Sequence, residues 1–406
     1  MPSFATALSG LESNNTALNT IANNLANMNT IGYKEQTDQF STLFYQQLNG
    51  GVNGGVQVGV GTQVAMTETD FSNGSPTPTT GQPTNMALQG NGFFVIDDHG
   101  QQELTRAGDF VLSKDGALQT TTGASVMGYP AANGSISVAG GVQPIVIPLG
   151  QTLAAKQTGS MNIQANLDAS AAVGTSVPAP VTLYDSLGGA HQATVTFTKT
   201  GINTWDYNVA LPAGEAASST GTTGTLTFDG NGNLTSPTGT VSGIAFSGLS
   251  DGGSNMNFSW NLSGTGSAIT QTASASNVAS ATQDGYTSGS YQGFSVDGNG
   301  IVQASFSNGQ KEVVGQVAVA TVANQQGLQA TNNTAYLATL ASGSAVIGTA
   351  GNAGRGTIEG AALESSNVDV STEFSALIVA QRAFEANSKS VTTFDQATQE
   401  AINMIH

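Results

Sequence analysis

The two ends of the chain carry apolar side chains at every seventh position. In the N-terminal part these positions are occupied by Phe4, Leu11, Leu18 and Leu25, with Ile21 and Met28 three positions after two of them. In the C-terminal part the same spacing returns in Val370, Leu377, Phe384, Val391 and Ile405, and Phe394 lies three positions after Val391. A seven-residue apolar repeat is typical of helices that wrap around one another. The pattern predicts two terminal helices that meet in a coiled coil.

Few helix breakers interrupt these two segments. From Ser3 to about Asn29 the only one is Gly10, and residues 361–406 contain neither glycine nor proline. Asp369 is suited to cap the start of the second helix. Periodicity alone leaves open the alternative of an ordinary buried core helix.

The middle of the chain has a different period. From Phe93 onward apolar and polar residues alternate in short runs separated by turn signals, which predicts β-strands. Val195 and Phe197 alternate with threonines, and Trp205 and Tyr207 alternate with polar residues, as in a hairpin with one wet face and one buried face.

The sequence therefore predicts a multidomain chain in which a terminal α-helical coiled coil encloses two mainly-β domains nested in the middle. We predict the coiled coil in residues 1–30 and 361–406, and an extended connecting region in residues 31–70 and 345–360. The expected inner β-domain is 71–145 with 285–344, and the expected outer β-domain is 146–284.

Composition narrows the class of partner. The 406 residues include 9 Lys and Arg against 26 Asp and Glu, a formal net charge of -17, so no nucleic-acid partner is expected. No segment approaches a membrane span, so no membrane insertion is expected. Cysteine is absent, and the N-terminus lacks the pattern of a cleaved signal peptide. Only 9% of residues are charged, against about 25% in a typical globular protein, and this composition suits an extracellular protein.

Three patterns resemble chemical sites, and each has a simpler interpretation. Gly248–Gly252 matches G-x-S-x-G, but a strand rather than a helix is predicted after it. Asp185, Ser186 and His191 cluster around one predicted hairpin turn, which favours a turn over a catalytic triad. Asp229 opens a calcium-like loop that lacks the later glycine and glutamate. We predict no catalytic residue, no metal site and no cofactor.

Longer motifs resemble those of a known family. Residues 22–34 are similar to the N-terminal signature of the bacterial flagellar axial proteins, the rod and hook family, and residues 363–370 and 381–388 are similar to their C-terminal hallmark. Residues 90–95 and 105–110 match the β-domain that the family shares. The motif residues to which the resemblance assigns importance are Asn23, Asn24, Asn27, Asn29, Thr30, Gly32, Tyr33, Lys34, Asn367 and Asp369.

The segment Val181–His191 is similar to one typical of the hook branch of this family. The resemblance implies a flexible tubular homopolymer that transmits torque from the rod to the filament. It further implies export through the flagellar type III apparatus without a cleaved signal peptide. The implied partners are the chain itself, the distal rod protein, the hook cap protein and the hook–filament junction protein. Beside these motifs, the terminal heptads are interpreted as an assembly seam.

Two alternative functions are compatible with parts of the sequence. A distal rod protein would share both ends but would lack the outer block. A secreted β-rich adhesin would explain the composition, but it would not explain paired terminal heptads. The polar, weakly charged middle and the apolar ends also suggest a mechanism in which the ends hold firmly while the outer surfaces slide.

Overall fold

A computed structural model describes residues 2–48, 56–77, 81–132, 134–263 and 268–404. Ile405, one of the predicted seam residues, and residues 49–55 of the predicted connecting region lie outside the described residues.

Two terminal helices enclose a long series of short strands. The helices are α1 (Pro2–Ala26) and α2 (Val370–Asn403), and a 3₁₀ turn spans Gln325–Gly327. The first strands are β1 (Gln36–Thr42), β2 (Tyr45–Leu48), β3 (Val56–Gly59), β4 (Thr62–Thr69), β5 (Pro76–Thr77), β6 (Met86–Gln89), β7 (Phe93–Asp98), β8 (Gln101–Thr105), β9 (Val111–Leu112), β10 (Leu118–Gln119), β11 (Ser125–Ala132), β12 (Ser135–Ile136) and β13 (Gln143–Pro144).

The remaining strands fall into a central and a final group. The central strands are β14 (Thr152–Leu153), β15 (Ser160–Asp168), β16 (Ser176–Tyr184), β17 (Ala190–Gly201), β18 (Thr204–Ala210), β19 (Ala216–Thr220), β20 (Thr223–Phe228), β21 (Leu234–Ser236), β22 (Thr240–Leu249), β23 (Met256–Asn261), β24 (Ile269–Thr272) and β25 (Asn277–Gln283). The final strands are β26 (Gly289–Val296), β27 (Ile301–Phe306), β28 (Lys311–Thr321), β29 (Gln329–Ala330), β30 (Ala335–Leu337), β31 (Val346–Thr349), β32 (Thr357–Gly360) and β33 (Leu363–Glu364).

The chain forms two compact units. The first consists of Met1–Leu149, Gly293–Ala304 and Glu312–His406, and the second of Gly150–Gln292 and Ser305–Lys311. The second unit overlaps the expected outer β-domain. It also takes in residues after 284 because β14 pairs with β26, opposing Thr152 to Ser290.

The second unit is a β-sandwich. One sheet has the strand order β16-β17-β18-β20-β21, and the other has the order β19-β22-β23-β15-β24, with β25 also pairing with β15. The predicted hairpin is present as β17 and β18, which oppose Phe197 to Tyr207. Alternate residues of both sheets point inward and bury a shared apolar core that includes Phe197, Trp205 and Trp260.

The first unit is built around an antiparallel sheet in which β28 pairs with both β11 and β7, and β8 and β30 follow β7. Its core contains a cluster of aromatic rings in edge contact. The ring centroids of Phe71, Phe93 and Tyr336 lie 5.4–5.8 Å apart. Strands β1 and β4 form a separate antiparallel ladder from Gln36 to Thr42, within the expected connecting region.

The two terminal helices pack side by side and run in opposite directions. Asn24 in α1 donates a hydrogen bond to Glu373 in α2, at 3.0 Å. Fourteen positions earlier in α1, a Cβ on Gly10 would lie 3.0 Å from the amide of Asn387, which is fourteen positions later in α2. The absence of a side chain on Gly10 therefore allows the close approach of the helices. None of the described helices is both long and apolar enough to cross a bilayer.

A buried cluster of charges fixes the helices to the sheet. Lys34, Arg106 and Glu364 are each less than 3% exposed. Glu364 accepts from Lys34 Nζ at 2.7 Å and from Arg106 at 3.4 Å, and the Lys34 ammonium also donates to the carbonyl of Ser72 at 2.6 Å. Burial lowers the pKa of Lys34, and the charge of Glu364 counters that effect. Three distant parts of the sequence thus meet at one carboxylate.

Lys34→Met tests how much this cluster contributes to the stability of the fold. We expect the free energy of unfolding to fall by about 3–5 kcal/mol, because the substitution removes one member of a buried ion pair. Urea unfolding monitored by circular dichroism measures the change. The matched control is Lys156→Met, which removes the cation of an exposed pair with Asp284 and should change stability by less than about 1 kcal/mol. Equal effects of the two substitutions would contradict the assignment.

Candidate assembly site

The segments that join both helices to the sheet meet in a region that we call the junction, residues 22–36, 70–74 and 363–373. Gly32 marks the turn after α1, with a backbone φ of 67°. A Cβ at this position would lie 2.5 Å from the amide nitrogen of Ala107, so glycine is the residue that fits. The Gly32 amide donates to the carbonyl of Glu364 at 2.9 Å and joins the N-terminal motif to the C-terminal one.

Two asparagine amides hold the backbone between these motifs. Asn24 accepts from the Gln36 amide at 3.0 Å and donates to the Gln36 carbonyl at 2.8 Å. Asn367 accepts from the Glu35 amide at 2.8 Å and donates to the carbonyl of Asp70 at 2.9 Å. An amide side chain is required at both positions, because each must accept and donate at once.

The other motif residues are placed as follows. Asn27 donates to the Asn23 carbonyl at 2.9 Å and accepts from the Thr30 hydroxyl at 3.0 Å, and Asn29 is exposed. Tyr33 donates to Asn24 Oδ1 at 3.0 Å. Burial, with help from Glu373 and Glu35, raises the pKa of Tyr33 to about 12 and keeps its hydroxyl protonated.

Asp369 caps α2, as the sequence predicts. Its Oδ1 accepts from the amides of Ser371 at 2.8 Å and Thr372 at 3.0 Å. The cap uses two of the amide groups that the first turn of a helix leaves without partners.

Two carboxyl groups face each other beside Asn24. Glu373 is 4% exposed, and its Oε2 is buried without a hydrogen-bond donor among the described residues. Burial and the charge of Glu373, followed by those of Asp70 and Asp369, raise the pKa of Glu35 to about 7. A proton on Glu35 gives Glu373 the missing donor, so the two groups share one proton. Sequence reasoning did not single out either glutamate.

Among the described residues, every predicted seam residue except Met28 lies in α1 or α2, and Met28 follows the end of α1 at Ala26. The residues that contact one another across the helix pair include small or polar ones such as Gly10, Asn24 and Asn387. The partly buried seam residues are Leu11, Leu18, Ile21, Leu25, Leu377, Phe384 and Val391. The exposed ones are Phe4, Met28, Val370 and Phe394.

An apolar groove lies beside the helix pair. Its volume is about 680 Å³, and its lining includes Ala17 and Ile21 from α1, Val379 and Ala380 from α2, and Phe40 from β1. Val379 is 68% exposed and Phe40 is 50% exposed, so the described chain leaves much of this apolar surface open to solvent.

Glu35→Gln tests the shared proton. Folded protein holds the proton up to about pH 7, whereas the unfolded chain releases it near the ordinary value of 4.5. The stability that it contributes is complete below pH 4.5 and is lost as the pH rises through 7. Relative to Glu35→Gln, we expect the wild type to lose about 1–2 kcal/mol across this range, after a discount for the solvent exposure of Glu35.

Urea unfolding of the monomer at a series of pH values measures this loss. Glu12→Gln, on an exposed part of α1, is the control and should leave the pH dependence of stability as it is in the wild type. A pH dependence that is identical in the wild type and Glu35→Gln would contradict the shared proton.

Family models match both ends of the chain and much of its middle. The family model described as flagella basal body rod protein matches residues 4–34, and that of the flagellar hook protein FlgE/F/G D1 domain matches residues 87–166. The flagellar basal body protein FlaE D2 domain matches residues 152–286, and the flagellar basal body rod FlgEFG protein C-terminal model matches residues 359–404.

Relatives that match over the full length of the chain are flagellar hook proteins. The flagellar hook protein FlgE of Escherichia coli K12 is 34% identical over 415 residues, which cover 99% of each chain. FlgE of Treponema pallidum is 31% identical over 462 residues, which cover 100% of this chain and 99% of the relative. The crystal structure of Helicobacter pylori FlgE2 shares the fold, with a TM-score of 0.56 at 15% identity, and covers 72% of this chain and 100% of that one. The chain therefore belongs to the flagellar hook protein family and is a structural subunit of the bacterial flagellar hook, not an enzyme.

Proposed function

We propose that the helix pair is the surface through which subunits of this chain join, and that neighbouring helix pairs complete a coiled-coil seam. Membership of the hook family implies self-polymerisation. The finer proposal assigns the permanent contact to the two helices and the groove beside them. It includes the predicted seam residues, both those that are partly buried and those that are exposed.

The observation that carries this proposal is the apolar surface left open on α2. Phe374, Ile378 and Val379 are 53%, 50% and 68% exposed, close to one another on the first turns of the helix. Phe4 and Leu8 on α1 are exposed by about 40% as well. Burial of such side chains contributes about 25 cal/mol per Å² of apolar surface, so contact with neighbouring copies stabilises a polymer. A second copy of the chain is the occupant that family membership supplies.

The second unit has a surface of another kind. Outward-facing side chains of its sheets pair through neutral groups: Ser176 and Thr198 at 3.1 Å, Thr227 and Thr235 at 3.1 Å, and Thr182 and Gln192 at 3.3 Å. Hydroxyl and amide groups exchange hydrogen bonds with water or with a neighbour at little net change in free energy. We propose that contacts through this unit slide while the hook turns, and that the helix contacts stay fixed.

The remaining partners follow from the same proposal. A hook subunit at the base of the tube meets the distal rod protein, and one at the tip meets the hook cap protein and later the hook–filament junction protein. The chain reaches this extracellular position through the flagellar type III export apparatus, without a cleaved signal peptide.

Val379→Asp tests the assembly surface. Because Val379 is exposed in the monomer, the variant should fold with unchanged stability. Assembly should fail, since a carboxylate buried without a partner costs about 3 kcal/mol, or a roughly 100-fold higher protein concentration for polymerisation. The control is Ile202→Asp, the same change at a residue that is 91% exposed in the second unit. Sedimentation and negative-stain microscopy distinguish the outcomes, and tubes of normal length from Val379→Asp would overturn the proposal.

Removal of the second unit tests the two proposed roles, fixed contacts through the helices and sliding contacts through the second unit. Leu153 and Gly289 are opposed in the β14–β26 ladder, so residues 154–288 can be replaced by a two-residue Asn-Gly turn. We expect the shortened chain to polymerise through its helices but to form tubes without a regular curvature. Microscopy of hooks from cells that carry the deletion provides the measurement. Normally curved tubes would show that the unit does not set curvature, and a lack of tubes would show that assembly requires it.

A further inference from the structure

The turn between β16 and β17 carries a buried aspartate with one oxygen already occupied. Asp185 is fully buried, and its Oδ1 accepts from the amides of Leu187 and Gly189, both at 2.8 Å. This is the hairpin turn that the sequence predicts. The second oxygen, Oδ2, does not face the turn backbone but the imidazole of His191, at 3.3 Å.

The fold brings two further carboxylates to this imidazole. His191 is 6% exposed, and its Nδ1 lies 2.9 Å from Glu215 Oε2. Its Nε2 lies 3.4 Å from Oδ2 of Asp251, which follows β22 in the other sheet of the sandwich. The second oxygen of Asp251 accepts from the Gly253 amide at 3.0 Å. Sequence reasoning grouped Asp185 with His191 but had no reason to add Asp251 or Glu215.

The charges of these groups favour a cation among them. If the imidazole donates Nδ1–H to Glu215, the lone pair on Nε2 faces two carboxylate oxygens, and these three acceptors repel one another. A proton on Nε2 relieves part of the repulsion but leaves three carboxylates around one positive charge. A divalent ion in the same place neutralises more of the charge.

The geometry also suits a metal ion. A tetrahedral ion with bonds of about 2.1 Å to nitrogen and oxygen holds its ligand atoms about 3.4 Å apart. The distances from Nε2 to the two carboxylate oxygens, 3.3 and 3.4 Å, have this value. The far atom of each of the three groups is fixed by its own hydrogen bond, as in metal sites whose ligands are oriented by a second layer of contacts.

Two glycines keep space open beside the converging atoms. A Cβ on Gly189 would lie 2.8 Å from Asp251 Oδ2, and a Cβ on Gly253 would lie 2.7 Å from Asp185 Oδ2. Neither position has a positive φ among those that the backbone shows, so turn geometry alone does not require glycine there. The space next to the two oxygens explains both residues.

We propose that Asp185, His191 and Asp251 bind a divalent transition-metal ion such as Zn²⁺, with Glu215 orienting the imidazole and water as the fourth ligand. Nitrogen and carboxylate ligands in tetrahedral arrangement favour Zn²⁺ over Mg²⁺ or Ca²⁺. Such an ion connects the β16–β17 turn in one sheet to the segment after β22 in the other. It fastens the two sheets of the sandwich together at one end, a contribution independent of the helix surface proposed for assembly.

Metal titration of the full chain, freed of metal by a chelator, tests the site. We expect calorimetry at about pH 7.5 to show one Zn²⁺ bound per chain, and Mg²⁺ to bind at least 100-fold more weakly. Co²⁺ should give the intense visible bands of a four-coordinate ion.

Variants separate this site from weak binding to an acidic surface. His191→Gln and Asp251→Asn should each lose at least 100-fold in affinity, and Glu215→Gln should lose about 10- to 100-fold. Asp251 is about one-third exposed, so Asp251→Asn should fold normally. This variant tests the site even if substitution of the buried His191 unfolds the chain. The control is His99→Gln, which removes an exposed histidine 2.6 Å from Asp98 and should bind Zn²⁺ like the wild type.

Two results would overturn the proposal. One is Zn²⁺ binding of equal strength in the wild type, Asp251→Asn and His191→Gln. The other is an NMR spectrum in which both ring nitrogens of His191 keep their protons after saturating Zn²⁺ is added, since a proton would then be the only cation in the cluster.

Discussion

Two buried cations, Lys34 and Arg106, share the carboxylate of Glu364, and the arrangement of the chain ends depends on that sharing. None of these charges is stable in the interior by itself, because the loss of water costs each several kcal/mol. The three residues are separated by up to 330 positions. The segment after α1, the sheet of the first unit and the segment before α2 must therefore assemble together. Once they do, the start of α2 is brought to the end of α1.

The hydrogen bonds of the junction depend on this cluster of three charges. With Glu364 in place, Asn367 reaches the backbone of Glu35 and Asp70, and Asn24 reaches that of Gln36. These bonds position Glu373 against Glu35, so the carboxyl pair exists only when both helices are docked. The helix pair is thus held at one end by specific polar contacts, while apolar side chains such as Val379 remain exposed.

The sequence predicted the helices and the strands well because both depend on local periodicity. The row from Leu11 to Leu25 and the alternation around Phe197 are visible within ten or fifteen residues. Periodicity does not reveal which side of a helix meets its own partner. In α2 the positions that contact α1 include Glu373 and Asn387. These polar residues interrupt the apolar pattern of the helix. Such interruptions mark the side of α2 that faces α1.

Clusters of residues that are distant in the sequence could not be predicted from it, for a different reason. Asp185 and His191 lie on one hairpin and are easily paired by eye, but Asp251 reaches them only through the stacking of two sheets. Glu35 resembles any exposed acid in the sequence until Glu373 is placed beside it. Tertiary packing, rather than residue type, sets the environment of both groups.

The unequal lengths of the two helices give the subunit a direction. α1 has 25 residues and α2 has 34, and because they are antiparallel and joined at the junction, the last turns of α2 extend past the start of α1. Every described residue from Thr392 to Met404 is exposed, including Phe394 and Ile402. In the proposed helix contact, an overhang at only one end would meet a different surface on the next copy, which makes that contact head-to-tail. A polymer built through such contacts would be polar, with every subunit pointing the same way.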